Sequence, residues 1–146
     1  NGVNEVSGEF TNKLRRRASV FMKVAERLLE EREYDLACFN ADQAAQLYAK
    51  SSILRLFGEF PRIHGVRELL GYLATRLHEA GYTEKASLLR EFIHENRYAL
   101  SVLEDAYIGA RYGPRSFGED DAKISIGTVS KLVKLLEGIE SDAWMV

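Results

Sequence analysis

Phe39-Asn40-Ala41-Asp42-Gln43-Ala44-Ala45-Gln46-Leu47-Tyr48-Ala49-Lys50 reads as a helix, and that reading decides the fold. Its small residues, Ala41, Ala44, Ala45 and Ala49 with Ser51 and Ser52 beyond, let neighbouring backbones approach closely. Gln43, Gln46 and Lys50 stand at i, i+3 and i+7 and share one face. Phe39, Ile53 and Phe57 flank them there. The polar groups are therefore expected to bond to other helices or to line a groove or subunit contact. A helix that packs tightly on one side and aligns amides on another is more than a surface helix.

Helical periodicity extends outward from it in both directions. Phe10, Leu14, Ala18, Phe21, Ala25 and Leu28 recur at three- and four-residue steps and predict a first helix over about 8–31. Asp35 is the expected N-cap of the second, which ends at Gly58 because Pro61 bars continuation. Val66, Leu69, Leu70, Leu73 and Leu77 mark a third helix closing on Gly81. Thr83 caps a fourth, expected as one continuous helix whose stripe runs from Ala86 to Ala110 before Gly113-Pro114. Ser116-Phe117-Gly118-Glu119 has the capping-box pattern, and Asp120 and Asp121 suit the positive end of a helix dipole. The last helix carries Ala122, Ile126, Val129, Val133, Leu136 and Ile139. Trp144 either docks the C-terminal tail or leaves it frayed. No period-2 alternation supports a strand. With short connections, the expectation is one all-α domain over 1–146, core about 8–140, built as an antiparallel bundle of about five helices.

Composition narrows function. A net charge of −2 gives no overall attraction to nucleic acid or to an anionic membrane, so any such binding needs a local patch. Lys13, Arg16, Lys23 and Arg27, with Arg15 and Arg17 nearby, form a basic strip on the first helix that is either a solvated face or an RNA contact. The single Cys38 excludes an internal disulfide, and no cysteine or histidine spacing suits zinc. No apolar run approaches the roughly 18 residues needed to cross a bilayer. No signal peptide is read before Arg15-Arg16-Arg17, so a cytoplasmic protein without membrane contact is expected. Glycine-rich phosphate loops, His-Glu-x-x-His and Gly-x-Ser-x-Gly are absent, so neither a triad nor a bound metal is expected, and no cofactor.

Two stretches remain as candidate sites. Glu104, Tyr107 and Arg111 fall at i, i+3 and i+7 and project together if the fourth helix persists to 111. Arg111 offers a planar fork for phosphate, and Tyr107 or Tyr112 a surface for a base. The competing reading pairs Glu104 with Arg111 and puts Tyr107 in the core. His64, after Pro61, is read as a capping or interhelical residue rather than a base. Asn96 interrupts an apolar stripe and needs a partner inside the bundle.

Taken in order, Gln-Ala-Ala-Gln-Leu with Lys50, then Pro61 and His64 before a leucine-rich helix, then Tyr-Ile-x-x-Arg-Tyr at 107–112, the chain resembles the HEPN family over about Ala37 to Leu136. The resemblance implies an antiparallel helical domain that commonly dimerises. It also implies a frequent partner, a minimal nucleotidyltransferase in toxin–antitoxin pairs, and in many members a metal-independent RNase. Those RNases carry Arg followed by four to six residues and His. Here no histidine follows Arg111, Arg90 and His94 enclose three residues, and Arg62 with His64 and Arg76 with His78 each enclose one. The catalytic role does not transfer. The expectation is a HEPN-like domain binding nucleotide, RNA or a nucleotidyltransferase partner, as a homodimer. The alternatives are a non-catalytic interaction module and a divergent RNase in which Tyr107 or Glu104 replaces the histidine.

Overall fold

The computed structural model describes residues 2–109, 113 and 115–145, with side chains between 8 and 141 of that range. Among the described residues six helices follow in order: α1 (Gly2–Glu30), α2 (Tyr34–Phe57), α3 (Val66–Glu79), α4 (Thr83–Glu95), α5 (Arg97–Gly109) and α6 (Glu119–Met145). Among the described residues there is no strand. The all-α class stands.

The count differs because the expected fourth helix breaks at Asn96. This residue (φ −110°, ψ 24°) leaves helical geometry between α4 and α5. Its side-chain amide donates to the Phe92 carbonyl at 2.9 Å, alongside the backbone N–H of Asn96 itself at 3.0 Å. A short amide that binds the backbone of its own helix competes with the helical ladder. Asn96 thus finds its partner within α4 rather than across the bundle.

Small residues make α2 central. Ala37, Ala41, Ala44, Ala45 and Ala49 are at most 1% exposed, and α2 packs on α1, α3, α5 and α6 at once. A helix buried on several sides is the usual outcome of an apolar surface that wraps round. Its own Ile53 and, around it, Leu69, Leu73, Leu77, Leu89 and Leu136 fill the core.

Paired contacts give the directions. Arg15 meets Ser51, and Leu28 and Leu29 pack beside Ala37 and Cys38, so α1 and α2 are antiparallel. Ser125 meets Cys38 and Glu140 meets Ser52, so α6 runs parallel to α2. The α2–α3 pair departs from the antiparallel expectation. Arg76 of α3 covers the Phe57 ring at the end of α2, while Arg67, at the start of α3, pairs with Glu104, whose charge acts on Asp42. Residues 58–65 therefore run back along α2, with Phe60 beneath Lys50 and against Phe10, and α3 lies parallel to α2.

The helix ends follow local chemistry. Gly58 adopts φ +69° and donates its N–H to the Leu54 carbonyl at 2.8 Å, the left-handed close expected of glycine. Gly81 likewise has φ +92°. Asp35 does not cap α2; Glu33 holds that position, and Asp35 instead accepts the backbone N–H of Phe117 at 2.7 Å. That bond seats Phe117, 5% exposed, in a second small core with Ala37, Cys38, Val102, Ala106 and Ala122. Tyr82, not Thr83, precedes α4 as its cap residue. At the start of α6, Gly118 donates to Asp121 at 3.0 Å, so Asp121 takes the role expected of the Ser116–Glu119 box. The side chain of Trp144 and the residue Pro114 lie outside the described set.

Candidate functional site

Asp42 is fully buried in α2. Gln46, one turn on, donates its amide to Asp42 Oδ2 at 2.7 Å, while Oδ1 has no partner among the described residues. Burial pushes the carboxyl from an ordinary 3.8 up to about 8; the Gln46 bond opposes the rise and the nearby Glu104 charge adds to it. A carboxylic acid kept neutral in this way is an expensive residue to keep in a core.

Glu104, on α5, is half-buried and forms an ion pair with Arg67 of α3, whose side chain is 44% exposed. Gly65 backs onto the same carboxylate, since a Cβ there would lie 3.8 Å from Oε2. Tyr107, one turn beyond Glu104, is half-buried, and His64 is exposed in the returning segment. Asp42, Gln46, Glu104 and Arg67 thus come together where α2, α3 and α5 meet. Arg111 and Tyr112 lie outside the described residues.

The expected polar face of α2 divides. Gln46 turns inward to Asp42. Lys50 is 9% exposed, its ammonium 5.5 Å above the Phe60 ring, and burial lowers its pKa. Gln43 stays half-buried. Of that face Gln43 remains within reach of an incoming molecule, as does the exposed His64 on the returning segment.

A second polar cluster joins α1, α2 and α6. Arg15 Nη2 donates to both carboxylate oxygens of Glu140 at 2.5 Å, and its Nε donates to Ser51 at 2.9 Å. Ser52 donates to Glu140 at 2.6 Å, and Arg55 stands 3.7 Å from the same carboxylate. The Arg15 guanidinium lies 4.7 Å above the Tyr48 ring, and burial pushes the Tyr48 hydroxyl up to about 12. Sequence reasoning placed Arg15 in the basic strip and passed over Asp42 and Glu140. The signals were there: Asp42 is followed by Gln46 at i+4 inside an alanine run, and paired serines interrupt an apolar stretch.

Lys13, Arg16, Arg17, Lys23 and Arg27 are exposed, Arg27 facing Glu31 at 3.4 Å. Cys38 is buried beside Ser125, its thiol pushed up to about 11, which makes it unreactive. Among the described residues no group of histidine, cysteine, aspartate and glutamate could hold a metal ion, and no helix is long and apolar enough to cross a membrane.

No curated protein matches the chain. A family model, described as HEPN domain, matches residues 11–139. That span takes in the Asp42 cluster, Arg15 with its α2 partners Ser51 and Ser52, and most of all six helices, so this chain belongs to the HEPN family, a nucleotide- or RNA-binding type of helical domain.

Proposed function

We propose that this HEPN domain binds a nucleotide or RNA without cutting it, as a homodimer paired with a minimal nucleotidyltransferase in a toxin–antitoxin arrangement. The candidate contact set is Arg111, Tyr107, Tyr112 and Glu104. The observation that supports it is the Glu104–Arg67 pair. The charge of Glu104 is met from α3, so Arg111 is not required as its counter-ion and its fork suits a phosphate. The missing Arg-to-His spacing argues against cleavage. A divergent RNase is the alternative, and metal-independent cutting of a mixed RNA pool in chelator would favour it.

Titrating short RNA and ATP against variants tests the site. Arg111→Ala should weaken binding by about 1.5–3 kcal/mol, the loss of a charged hydrogen-bond partner. Tyr107→Ala should cost about 1–3 kcal/mol through lost stacking. Thermal melts alongside must show intact folding. If Arg111→Ala binds as the parent does, the site assignment fails.

A purely protein-binding module is the second reading. Phe10, Val20 and Val24 of α1, Leu36 of α2 and Phe60 of the returning segment are all exposed apolar side chains. They suit contact with another chain.

A further inference from the structure

α1 and α6 both pack on α2 but touch each other only lightly, and a furrow of about 460 Å³ opens between them. Its floor is apolar, made by Ala18 and Met22 of α1, Ala44 and Tyr48 of α2, and Val133 of α6. Ala18 and Ala44, 4% and 1% exposed, keep that floor low; larger side chains would fill the space.

Hydrogen-bonding groups around the furrow are left unused. Arg15 lines it and is fixed through Nε and Nη2, whereas its Nη1 makes no bond among the described residues. The Tyr48 hydroxyl has no hydrogen bond there either. Glu26, Lys134 and Glu137 stand on the banks, and none joins an ion pair among the described residues. A buried Arg–Glu pair is weak evidence for stability by itself, because desolvation offsets much of the attraction. Here the pair holds a guanidinium rigid at the wall of an open slot.

The lining selects a ligand chemistry. Arg15 and Lys134 are balanced by Glu26 and Glu137, so the local field does not favour a polyanion. Each bank carries a donor and an acceptor, Arg15 and Glu26 on α1 and Lys134 and Glu137 on α6, beside an apolar floor that adds the Tyr48 hydroxyl. A flat, neutral heteroaromatic ring with its own donors and acceptors complements that pattern, and the volume falls in the range of small-molecule sites. We propose that this furrow seats the base of a nucleoside or nucleotide, its plane over Met22 and Val133 and its edge toward Arg15 and Glu137. The inference rests on the nucleotide reading given above and adds a second place of contact to it.

Calorimetric titration of adenosine, AMP and ATP tests it. In Arg111→Ala, which removes the other proposed phosphate contact, adenosine and AMP should bind within about threefold of each other, since the lining does not favour added negative charge. Ser19 is exposed at the furrow's edge, so Ser19→Trp fills the slot without entering the core. It should weaken adenosine at least tenfold with an unchanged melt, while Ser87→Trp, on α4 and away from this lining, retains binding. If Ser19→Trp binds as the parent does while Arg111→Ala has lost ATP, the furrow inference falls and the nucleotide reading stands. Affinity that still climbs steeply with each phosphate in Arg111→Ala would also overturn the furrow as a base site. If the parent binds neither adenosine nor ATP, both fall.

Discussion

At the scale of single residues, Asp42 gives the sharpest expectation. Its carboxyl is raised to about 8 in the folded protein from about 3.8. Between those values the folded chain holds a proton that the unfolded chain has released. Stability contributed at low pH is therefore lost as pH rises through that window, with a slope approaching about 1.4 kcal/mol per pH unit for one proton. Asp42→Asn keeps an acceptor for Gln46 and puts an N–H where the carboxyl carries its proton. The variant should show a flatter stability profile from pH 5 to 9 and exceed the parent at pH 9. Urea unfolding across that range is the measurement; parallel curves for the two proteins would refute the assignment. Half of the site is not legible in the sequence because its contacts are not local. Gln43, Gln46 and Lys50 were legible as a face by their spacing, but spacing does not say which amide has a partner one turn back. Asp42 looked like a polar residue in an alanine run, and only the approach of Glu104 from α5 and the absence of a partner at Oδ1 among the described residues make it unusual. Glu140 escaped because its partners, Arg15, Ser51 and Ser52, are distant in sequence.

Helix existence was readable from apolar periodicity, and helix direction was not. Nothing local to residues 58–65 says that they run back along α2; long-range contacts of Phe60 with Phe10 and Lys50 do. The break at Asn96 was half legible, since asparagine in an apolar stripe needs a partner, and the nearest one was the Phe92 carbonyl. Glycine placement supplies a paired test of the helix ends. Gly58 has φ +69°, a conformation that places a Cβ against its own backbone. Gly127 lies exposed within α6, and a Cβ there would meet nothing within 4 Å. Gly58→Ala should therefore destabilise by about 1–2 kcal/mol. Gly127→Ala should stabilise by about 0.4–1 kcal/mol by restricting the unfolded chain. Thermal melts of the two variants must move in opposite directions, and a shared sign would contradict the backbone geometry.

For the whole molecule, the question is what its exposed apolar side meets. Phe10, Val20 and Val24 are 36%, 53% and 38% exposed. Their spacing of ten and then four residues, with Arg17 between, keeps them along one side of α1. Leu36 on α2 and Phe60 on the returning segment, 41% and 45% exposed, add to the apolar surface outside the core. Single exposed apolar residues need no explanation, whereas several along one element suit an interface. An antiparallel helix pair that packs on its own copy completes a four-helix arrangement around a two-fold axis, where each surface meets itself. The net charge of −2 opposes such contact only weakly. Sedimentation equilibrium at micromolar concentration should accordingly show a dimer, and one that persists at high salt because its contacts are apolar. Val20→Glu combined with Val24→Glu should shift it to monomer. Both positions face solvent in the protomer, so far-UV circular dichroism of the monomer should remain fully helical. A parent protein that sediments only as monomer would defeat the homodimer. A double variant that stays dimeric would leave the homodimer intact and move its interface off the outer side of α1.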